Sequence, residues 1–557
     1  MILNVVTITA GLTMFEIKQE KFTKEIIMQL KNLTKQNTRI IIGNPGCGKT
    51  TTLILELEQA VKKGIPLSRI GFCSFSVAAL DEARTRALSQ LEKMGKLAST
   101  KDLTYFKTLH AMAFHLLGLS TQNLISDNNL QDFSKLLDIP MTIHKTLKSR
   151  ITEGDKLLQI TNSSRLLDLP IRDYMIQYDV HDVTVRHAED FASRYRDYKI
   201  LNNLYDYTDM LVMAKSADLD TPELDILFID EAQDLSTLQW LLVDRLAEKS
   251  KSIVIAGDDK QSINNFVGAD VDTFLEINGR VEVLQQSYRV PKAVYNIANK
   301  IVDHMFKFRP EGSVWKPRTE QGMVKRCSSY PIKEMLTGEW LVLTRAAYQL
   351  AGIQEQLLRM AEDGAVIFTV NGDPPIDLDI FRAIGLFKAS ELPRSPKLED
   401  MVLIHDSDDA TMRKTKVEYI KLFKKFISCD NTGYMQPWEI NDIFLEKLKQ
   451  PWYVAFDKVP QYVRRYARAL YPAYTKKKEE IFHNAKIRLM TIHAAKGREA
   501  ENVLVCLDVP RTVRENLLRK DMDDEAKVLY VAVTRAKRNL YLYGKSYDHM
   551  SLARYLK

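Results

Sequence analysis

The stretch "RIIIGNPGCGKT" at residues 39–50 decides the fold class of this chain. Its last eight residues match G-x-x-x-x-G-K-[ST], follow an apolar run and precede the helix-forming segment "TTLILELEQAVKK". In such a strand, loop and helix, glycines let backbone amides surround phosphate oxygens, and the helix start adds positive potential. The sequence therefore predicts a phosphate-binding loop. The residues expected to line the nucleotide are Gly43, Asn44, Pro45, Gly46, Cys47, Gly48, Lys49, Thr50 and Thr51.

A second stretch, "LDILFIDEAQDLS" at 224–236, crowds Asp230, Glu231 and Asp234 at the end of an apolar run. Neighbouring carboxylates repel unless a cation or hydrogen bonds hold them, and Mg²⁺ is usually held by one or two carboxylates together with substrate phosphates. We expect Thr50 and Asp230 to hold Mg²⁺, and Glu231 to orient and deprotonate an attacking water. Asp234 is expected to be structural or linked to a neighbouring motif. The alternative is a solvated acidic turn.

Length and composition fit a soluble protein of several domains. The 557 residues exceed what one core supports, and a net charge of +7, from 79 basic and 72 acidic residues, permits a polyanionic partner without requiring one. Five scattered cysteines indicate neither a zinc site nor a disulfide framework, so a reducing cytoplasm is expected. The first residues, "MILNVVTITAGLTM", lack the features of a signal peptide, and Met14 is a second candidate for the start. No stretch is expected to cross a membrane.

Short apolar runs alternate with amphipathic stretches in two series, which is typical of parallel sheets. The runs are "RIIIG" (39–43), "RIGFCSF" (69–75), "DILFID" (225–230), "SIVIAGD" (252–258) and "EVL" (282–284), then "EWLVLTR" (339–345), "AVIFTV" (365–370), "IRLMTIH" (487–493), "ENVLVCLDV" (501–509) and "NLYLYG" (539–544). The predicted fold class is α/β, with two domains that each carry a mainly helical insertion. The first domain comprises 1–110 and 216–284 around an insertion at 111–215, and the second comprises 285–390 and 484–557 around an insertion at 391–483.

Four further motifs narrow the predicted P-loop protein to one family. They are "IAGDDKQSINNFVGA" (255–269), "LQQSYRVPKAVYNIAN" (284–299), "LMTIHAAKGREAENVLV" (489–505) and "EAKVLYVAVTRAKRNLYL" (525–542). Together with the first two motifs they resemble, in order and over nearly the whole chain, the UvrD/Rep-like branch of superfamily 1 DNA helicases. The resemblance implies two RecA-like P-loop domains with ATP and Mg²⁺ in the cleft between them.

The same resemblance implies roles for individual residues around ATP. Gln261 would sense the terminal phosphate, Tyr288 would stack on adenine, and Glu499 would contact the ribose. Arg289 and Arg535 look like two arginine fingers, whose planar guanidinium groups spread charge over a transferring phosphoryl group. Gln19 resembles the glutamine that reads adenine in the family. The alternatives are surface salt bridges for the arginines and a core position for Tyr288.

Nucleic-acid contacts are also implied by the resemblance. "SFSVAA" (74–79) offers Phe75 for base stacking and Ser74 and Ser76 as phosphate donors, and "KTLHA" (107–111) offers Thr108 and His110. Phe266 stands where the family has a tryptophan that separates bases, and His493 is a further candidate contact. Phe75 could instead be ordinary core, and His493 a turn residue. The chain departs from the family pattern at Val77, Ala78, Asn264, Val267 and Ser287. Its contacts with a DNA strand are therefore expected to differ from those of well-known family members.

The second insertion contains "PWYVAFDKVPQYVRRYARALYPAYTKKK" (451–478), in which basic residues alternate with aromatic ones. Such a mixture suits contact with a duplex or a single strand. A solvated helix with an aromatic packing stripe is the alternative.

The predicted function is an ATP-dependent DNA helicase that moves along single-stranded DNA, 3′-to-5′ by resemblance, and unwinds duplex DNA. Its expected partners are single strands, junctions of single strand and duplex, and replication or repair proteins. The expected state is a monomer in the cytoplasm, at the nucleoid or in the host of a phage. Two alternatives remain: a translocase that remodels nucleoprotein without processive unwinding, and a nucleotide-switched nucleic-acid-binding protein. A helicase fused to a nuclease is disfavoured, because about twenty residues follow the last motif.

Overall fold

The computed structural model describes residues 26–35, 37–142, 152–178, 180–264, 268–306, 315–360, 366–391, 397–398, 410–428, 442–511, 513–515, 522–544, 552 and 556. Gln19 and Phe266, two predicted site residues, lie outside the described residues.

The first sheet is built around the strand that leads into the phosphate loop. All its strands are parallel, in the order β3-β2-β4-β5-β1-β6. Parallel strands carry their carboxyl ends to one edge, so the phosphate loop and the acidic motif begin at the same edge. The strands are β1 (Asn37–Gly43), β2 (Ile70–Ser74), β3 (Phe106–Thr108), β4 (Ile226–Asp230), β5 (Ser252–Gly257) and β6 (Arg280–Leu284).

Helices cover both faces of this sheet, which is why its central strands read as continuous apolar runs. Buried leucines of the helices Lys49–Lys62 and Val77–Lys93 pack on one face, and those of Thr237–Ala247 pack on the other. The remaining helices of this half outside the insertion are Lys31–Lys35 and Val271–Glu276.

The second sheet is also wholly parallel, in the order β7-β12-β11-β8-β10-β9. Its strands are β7 (Met323–Cys327), β8 (Trp340–Thr344), β9 (Phe368–Val370), β10 (Ile487–Thr491), β11 (Ala500–Cys506) and β12 (Ala536–Tyr543). The helices of this half are Lys292–Met305, Ile332–Met335, Leu350–Arg359, Asp379–Ser390 and Met522–Val533. Two parallel sheets flanked by helices confirm the predicted α/β fold class.

The two helical regions inserted between strands differ in the hydrophobic core to which they belong. The first has its own core around Phe133, Phe191 and Tyr195. Its helices are Leu109–Leu116, Asp127–Leu137, Glu153–Leu166, Ile171–Gln177, Val185–Leu201 and Tyr207–Ser216. The second region shares one core with the second sheet, as Phe423 and Tyr466 cluster with Trp340. Its helices are Ala410–Lys424, Asp442–Leu448, Trp452–Ala455, Gln461–Lys477 and Glu480–His483.

Two tyrosines of the stretch 451–478 pack against the core of the second half. Tyr466 is buried and its hydroxyl donates to the Val366 carbonyl at 2.9 Å, while Tyr474 stacks on Phe381 with ring centroids 4.1 Å apart. These two side chains have the packing role that the alternative interpretation predicts, whereas Tyr453 is 48% exposed, so a nucleic-acid contact of the stretch stays a prediction. Among the described residues, no helix has the length and apolar character needed to cross a bilayer.

Candidate nucleotide site between the two sheets

The phosphate loop forms an open cradle at the carboxyl end of β1. Gly46 and Gly48 adopt left-handed backbone angles, with φ of 71° and 83°, which glycine adopts without steric cost. The helix Lys49–Lys62 begins directly after Gly48, and within the described chain no side chain caps it. Its first backbone amides are therefore available to an anion.

Two side chains of the loop also suit a phosphate. The Asn44 Nδ2 amide is buried and has no hydrogen-bond partner among the described residues. The Lys49 ammonium donates to the Gly43 carbonyl at 2.7 Å, which holds it over the loop. An unpaired buried donor beside an uncapped helix start fits a nucleotide phosphate chain.

The acidic motif meets the phosphate loop through Thr50. The Thr50 hydroxyl donates to Asp230, with 2.6 Å between Oγ1 and Oδ2, and the Glu231 amide donates to the other Asp230 oxygen at 3.0 Å. Burial, followed by the charge of Glu231, raises the pKa of Asp230 to about 6. Thr50 and Asp230 offer a hydroxyl and a carboxylate, which suit an ion that also takes phosphate and water ligands.

Two lysines and a glutamine surround the carboxylate of Glu231, the predicted base. Burial alone would raise the pKa of its carboxyl, but Lys49 and Lys496 outweigh burial and hold that pKa below its ordinary value. The side-chain amide nitrogen of Gln233 donates to Glu231 Oε2 at 2.6 Å, and its side-chain oxygen Oε1 accepts from the Asp258 backbone amide at 2.9 Å. Gln233, which the sequence analysis did not select, therefore fixes the direction of the carboxylate.

The second half of the chain brings both predicted arginines to this edge. Arg535 is only 2% exposed and donates to the side-chain oxygen of Gln261, whose amide in turn donates to Asp258 at 2.5 Å. Burial, and next the nearby Arg289, lowers the pKa of Arg535 to about 10. Arg289 forms an ion pair with Glu499.

Glu499, the predicted ribose contact, forms ion pairs with two basic side chains. Besides Arg289 it pairs with Lys537 at 2.8 Å, and these cations hold its pKa below the ordinary value even though burial opposes them. The Tyr288 ring, predicted to stack on adenine, is 73% exposed, and its backbone amide donates to the Gly46 carbonyl at 2.8 Å. The ring is free to receive a base beside the phosphate loop.

Three more residues connect distant segments of the chain here, and none was selected from the sequence as a site residue. The Ser287 hydroxyl donates to the Pro45 carbonyl at 2.7 Å. Lys260, only 3% exposed, places its ammonium 3.4 Å from the Asn44 Oδ1 atom. Lys496 contacts Asp234 and the Gln261 carbonyl. The residues in each of these contacts are more than 200 positions apart in the sequence, so no local sequence pattern predicts them.

The predicted nucleic-acid residues divide into helix caps and buried groups. Ser76 and Thr108 cap helices, accepting from the Ala79 and Ala111 amides at 3.2 and 3.3 Å. Ser74 is buried, and its hydroxyl oxygen has no partner among the described residues. Phe75 is half-buried against the core of the first sheet. Their roles on a strand stay predictions.

The two predicted histidines are both partly enclosed. Burial, partly offset by Asp206, lowers the pKa of His110 to about 4, and its ring meets the Tyr207 ring edge-on with centroids 5.9 Å apart. Tyr207 is 65% exposed and adds an aromatic surface that the sequence analysis missed. His493 hydrogen-bonds the Ile263 backbone, and burial followed by Arg345 lowers its pKa to about 4.

This fold and this site define a class: a P-loop nucleoside triphosphatase with two RecA-like domains, whose nucleotide site receives residues from both. The UvrD/REP helicase N-terminal domain family matches residues 26–282, and the UvrD-like helicase C-terminal domain family matches residues 469–547. Together the two matches cover more than half of the chain. The chain belongs to the UvrD/Rep-like superfamily 1 helicases, and it is an enzyme of the DNA helicase class.

Similar proteins match along most of their length. The chain is 21% identical to a probable DNA helicase II homolog of Mycoplasma genitalium, over 91% of this chain and 82% of that protein. It is 21% identical to the ATP-dependent DNA helicase PcrA of Staphylococcus epidermidis, over 94% of this chain and 84% of that protein. A solved structure of arterivirus nonstructural protein 10 (helicase) aligns with 94% of this chain and 62% of its own at 10% identity, with a TM-score of 0.32.

Proposed function

We propose that this helicase is an ATP-driven motor that moves 3′-to-5′ along single-stranded DNA and separates the strands of a duplex ahead of it. The observation that carries the proposal is the contact between Gln261 of the first half and Arg535 of the second, beside Glu231. Because the catalytic groups come from both sheets, hydrolysis depends on how the two halves meet. The direction of movement rests on the resemblance to the family.

The proposed chemistry assigns a task to each residue of the cleft. Lys49 and the loop amides bind the phosphates, and Thr50 with Asp230 holds Mg²⁺, which neutralises phosphate charge when bound. Glu231, oriented by Gln233, accepts a proton from water as the water oxygen bonds to the terminal phosphorus and the bond to the ADP oxygen breaks. The proton then resides on the Glu231 carboxyl and ADP leaves with the bridging electron pair.

Residues of the second half would complete the site as the cleft closes. Arg289 and Arg535 supply planar positive charge to the phosphoryl oxygens, and Gln261 links those oxygens to Arg535. Arg289 is paired with Glu499 in this structure, so it must exchange that partner to reach the phosphate. Tyr288 stacks on the adenine, and Gln19 reads its edge.

The proposed path of the strand runs over the first half near the helix caps. Ser76 and Thr108 keep a hydroxyl hydrogen for a phosphate oxygen while they cap their helices. Tyr207 offers an exposed ring beside His110, and Phe266 and His493 belong to the same proposed path. We place the enzyme at the nucleoid in the cytoplasm, as a monomer on junctions of single strand and duplex, where replication or repair proteins work.

The first test measures ATP hydrolysis without nucleic acid, with single-stranded DNA and with single-stranded RNA. Glu231→Gln is the test variant and Glu223→Gln, at an exposed position, is the matched control. Stimulation by DNA that disappears only in Glu231→Gln supports the proposal. Hydrolysis that is absent, or indifferent to DNA, overturns it in favour of a nucleotide-switched binding protein.

The second test concerns direction and unwinding. Partial duplexes with either a 3′ or a 5′ single-stranded tail are incubated with ATP, and released strand is measured. Release from the 3′-tailed duplex alone is expected. Stimulated hydrolysis without release from either duplex identifies instead a translocase that remodels nucleoprotein.

A further inference from the structure

Lys260 is a buried lysine beside the phosphate loop, and the proposed chemistry gives it no task. It lies in the short helix Asp259–Gln261 that follows β5, and it is only 3% exposed. Removal of an ammonium group from water is unfavourable unless anions or hydrogen-bond acceptors replace the water. The neighbours of Lys260 therefore indicate what the site lacks.

These neighbours compensate the charge only in part. The Lys260 ammonium lies 3.4 Å from Asn44 Oδ1 and 3.8 Å from Asp259 Oδ1. Hydrogen bonds from nitrogen to oxygen usually measure about 2.7–3.2 Å, so the first contact is long and the second is an ion pair without a hydrogen bond. The described residues offer this ammonium no other side-chain or backbone acceptor. Most of its capacity to donate is thus unused.

Asn44 also has donor hydrogens to spare. It is 1% exposed, and its Nδ2 amide has no hydrogen-bond partner among the described residues. Because an ammonium can only donate, Lys260 must contact the Oδ1 atom, which leaves Nδ2 directed at a different acceptor. Two adjacent buried side chains therefore hold more donors than acceptors. An anion with several oxygens would correct that imbalance.

The surroundings of the pair belong to the phosphate site. Asn44 is the second residue of the phosphate loop. Burial raises the pKa of the Asp258 carboxyl, and the ammonium groups of Lys49 and Lys260 both oppose that rise. The two Asp258 oxygens already accept, from the Lys260 backbone amide at 3.2 Å and from the Gln261 side-chain amide at 2.5 Å. Asp258 thus offsets part of the positive charge while its oxygens serve other donors.

We propose that Lys260 and Asn44 form a second phosphate-binding pair, which adds an ammonium and an amide to the donors that Lys49 and the loop supply. Their ligand is the phosphate chain of a nucleoside triphosphate, so the inference rests on the proposed function. Lys260 keeps the Asn44 amide in the orientation that donates, and both side chains bind phosphate oxygens in the nucleotide complex.

Both donors are enclosed in this structure. The carbonyls of Pro45 and Gly46, the next two residues of the loop, accept hydrogen bonds from the Ser287 hydroxyl and the Tyr288 amide of the second half. In the proposal this segment of the second half withdraws as the nucleotide enters, and phosphate oxygens then reach the pair.

The test measures binding of a fluorescent, non-hydrolysable ATP analogue with Mg²⁺, and its displacement by inorganic tripolyphosphate. Lys260→Met keeps the length of the side chain and removes its charge. The Kd of the analogue should rise by about 10- to 100-fold, the usual effect of losing a hydrogen bond between charged groups. Tripolyphosphate, which lacks base and ribose, should lose affinity by a similar factor, because the pair binds phosphate alone.

Two lysine substitutions serve as controls. Lys260→Arg keeps the positive charge and should recover most of the affinity. Lys251→Met removes an exposed lysine of the same half, which pairs with Asp225, and it should bind both probes as the unaltered protein does.

Asn44→Asp separates phosphate binding from support of the loop. The substitution preserves the shape of the side chain and strengthens its contact with Lys260. A pair that only supported the loop would therefore leave both affinities unchanged. A pair that binds phosphate loses its amide donor and has its ammonium neutralised, so both affinities should fall as in Lys260→Met, while the melting temperature without nucleotide does not fall.

Unchanged affinity in a folded Lys260→Met protein, or in Asn44→Asp, overturns the inference, and Asn44→Asp decides alone if Lys260→Met fails to fold. Weaker binding of the analogue without weaker binding of tripolyphosphate also overturns it, because the effect then belongs to the base or the ribose. DNA-stimulated hydrolysis that persists in these cases leaves the proposed function intact. An unaltered protein that binds neither probe and hydrolyses no ATP removes both.

Discussion

Two adjacent carboxylates, Asp230 and Glu231, acquire different properties from their immediate neighbours. Asp230 bonds Thr50 and its pKa rises to about 6 through burial and then through Glu231. Glu231 faces Lys49 and Lys496, which hold its pKa below the ordinary value against the effect of burial. Groups whose environments separate their pKa values in this way commonly divide their roles, which agrees with the proposed metal ligand at Asp230 and the proposed base at Glu231.

Gln233 is expected to matter to catalysis through the orientation of Glu231. Gln233→Met removes a hydrogen bond to a charged group, worth about 1.5–3 kcal/mol, so kcat should fall by about 10- to 100-fold while KM for ATP changes little. Steady-state hydrolysis with saturating DNA measures both constants. Gln239→Met is the matched control, because Gln239 is equally buried but only completes a helix cap, and unchanged kcat in Gln233→Met would contradict the assignment.

His110 is expected to make stability depend on pH. Its folded pKa of about 4 lies below the ordinary 6.5, so between these values the unfolded chain binds more protons and stability falls as the pH falls. At about pH 5 the loss amounts to at most about 2 kcal/mol relative to about pH 7.5. Melting temperatures at the two pH values should draw closer in His110→Gln but not in His187→Gln, which replaces an exposed histidine.

Most strands of the two sheets coincide with predicted apolar runs. Every predicted apolar run corresponds to a strand, including the buried β2 and β8. Two strands, β3 and β7, were not predicted. Both lie at sheet edges, and β7 (Met323–Cys327) is largely exposed and carries two adjacent charged residues, Lys325 and Arg326, so it shows no apolar run.

Gly46 of the phosphate loop is expected to be required both for its left-handed backbone angle and for the space it leaves to Arg289. A Cβ atom there would lie 2.3 Å from Arg289 Cβ, so Gly46→Ala adds a clash with the second half to the strain of φ 71°. Gly95→Ala is the matched control, because Gly95 has φ 72° and open space, and its cost should be only about 1–2 kcal/mol.

We expect DNA-stimulated hydrolysis to collapse in Gly46→Ala and to persist in Gly95→Ala. Melting temperature and ATP hydrolysis, measured on both variants, separate the two effects. Equal activity in the two proteins would show that the clash with Arg289 does not affect hydrolysis.

At the scale of the whole molecule, the site exists only where the two halves meet. The sequence motifs identified Arg289, Arg535 and Gln261, because each belongs to a recognisable local pattern. The contacts of Lys496, Ser287 and Lys260 depend on the relative placement of distant segments, which no local pattern specifies. The first insertion, which has its own core, and the second, which shares the core of the sheet, could likewise not be told apart by composition.

Nucleotide is expected to stabilise both halves of the molecule together. A ligand at about 100 times its dissociation constant adds about 2.7 kcal/mol to the state that binds it. Calorimetry with Mg²⁺ and a non-hydrolysable ATP analogue should therefore raise every unfolding transition in the unaltered protein. In the double variant Arg289→Ala and Arg535→Ala, only the transition of the first half should rise, and a common rise would argue against nucleotide contacts from the second half.

The backbone of Glu231 has a consequence for engineering this protein. With φ of 54°, it occupies the left-handed region, where a residue other than glycine is disfavoured by about 1–2 kcal/mol. Glycine at this position would relieve that cost and remove a buried charge, at the loss of the base. Selection for heat resistance alone would thus favour an inactive motor, and thermostable active variants have to be sought with turnover as a second criterion.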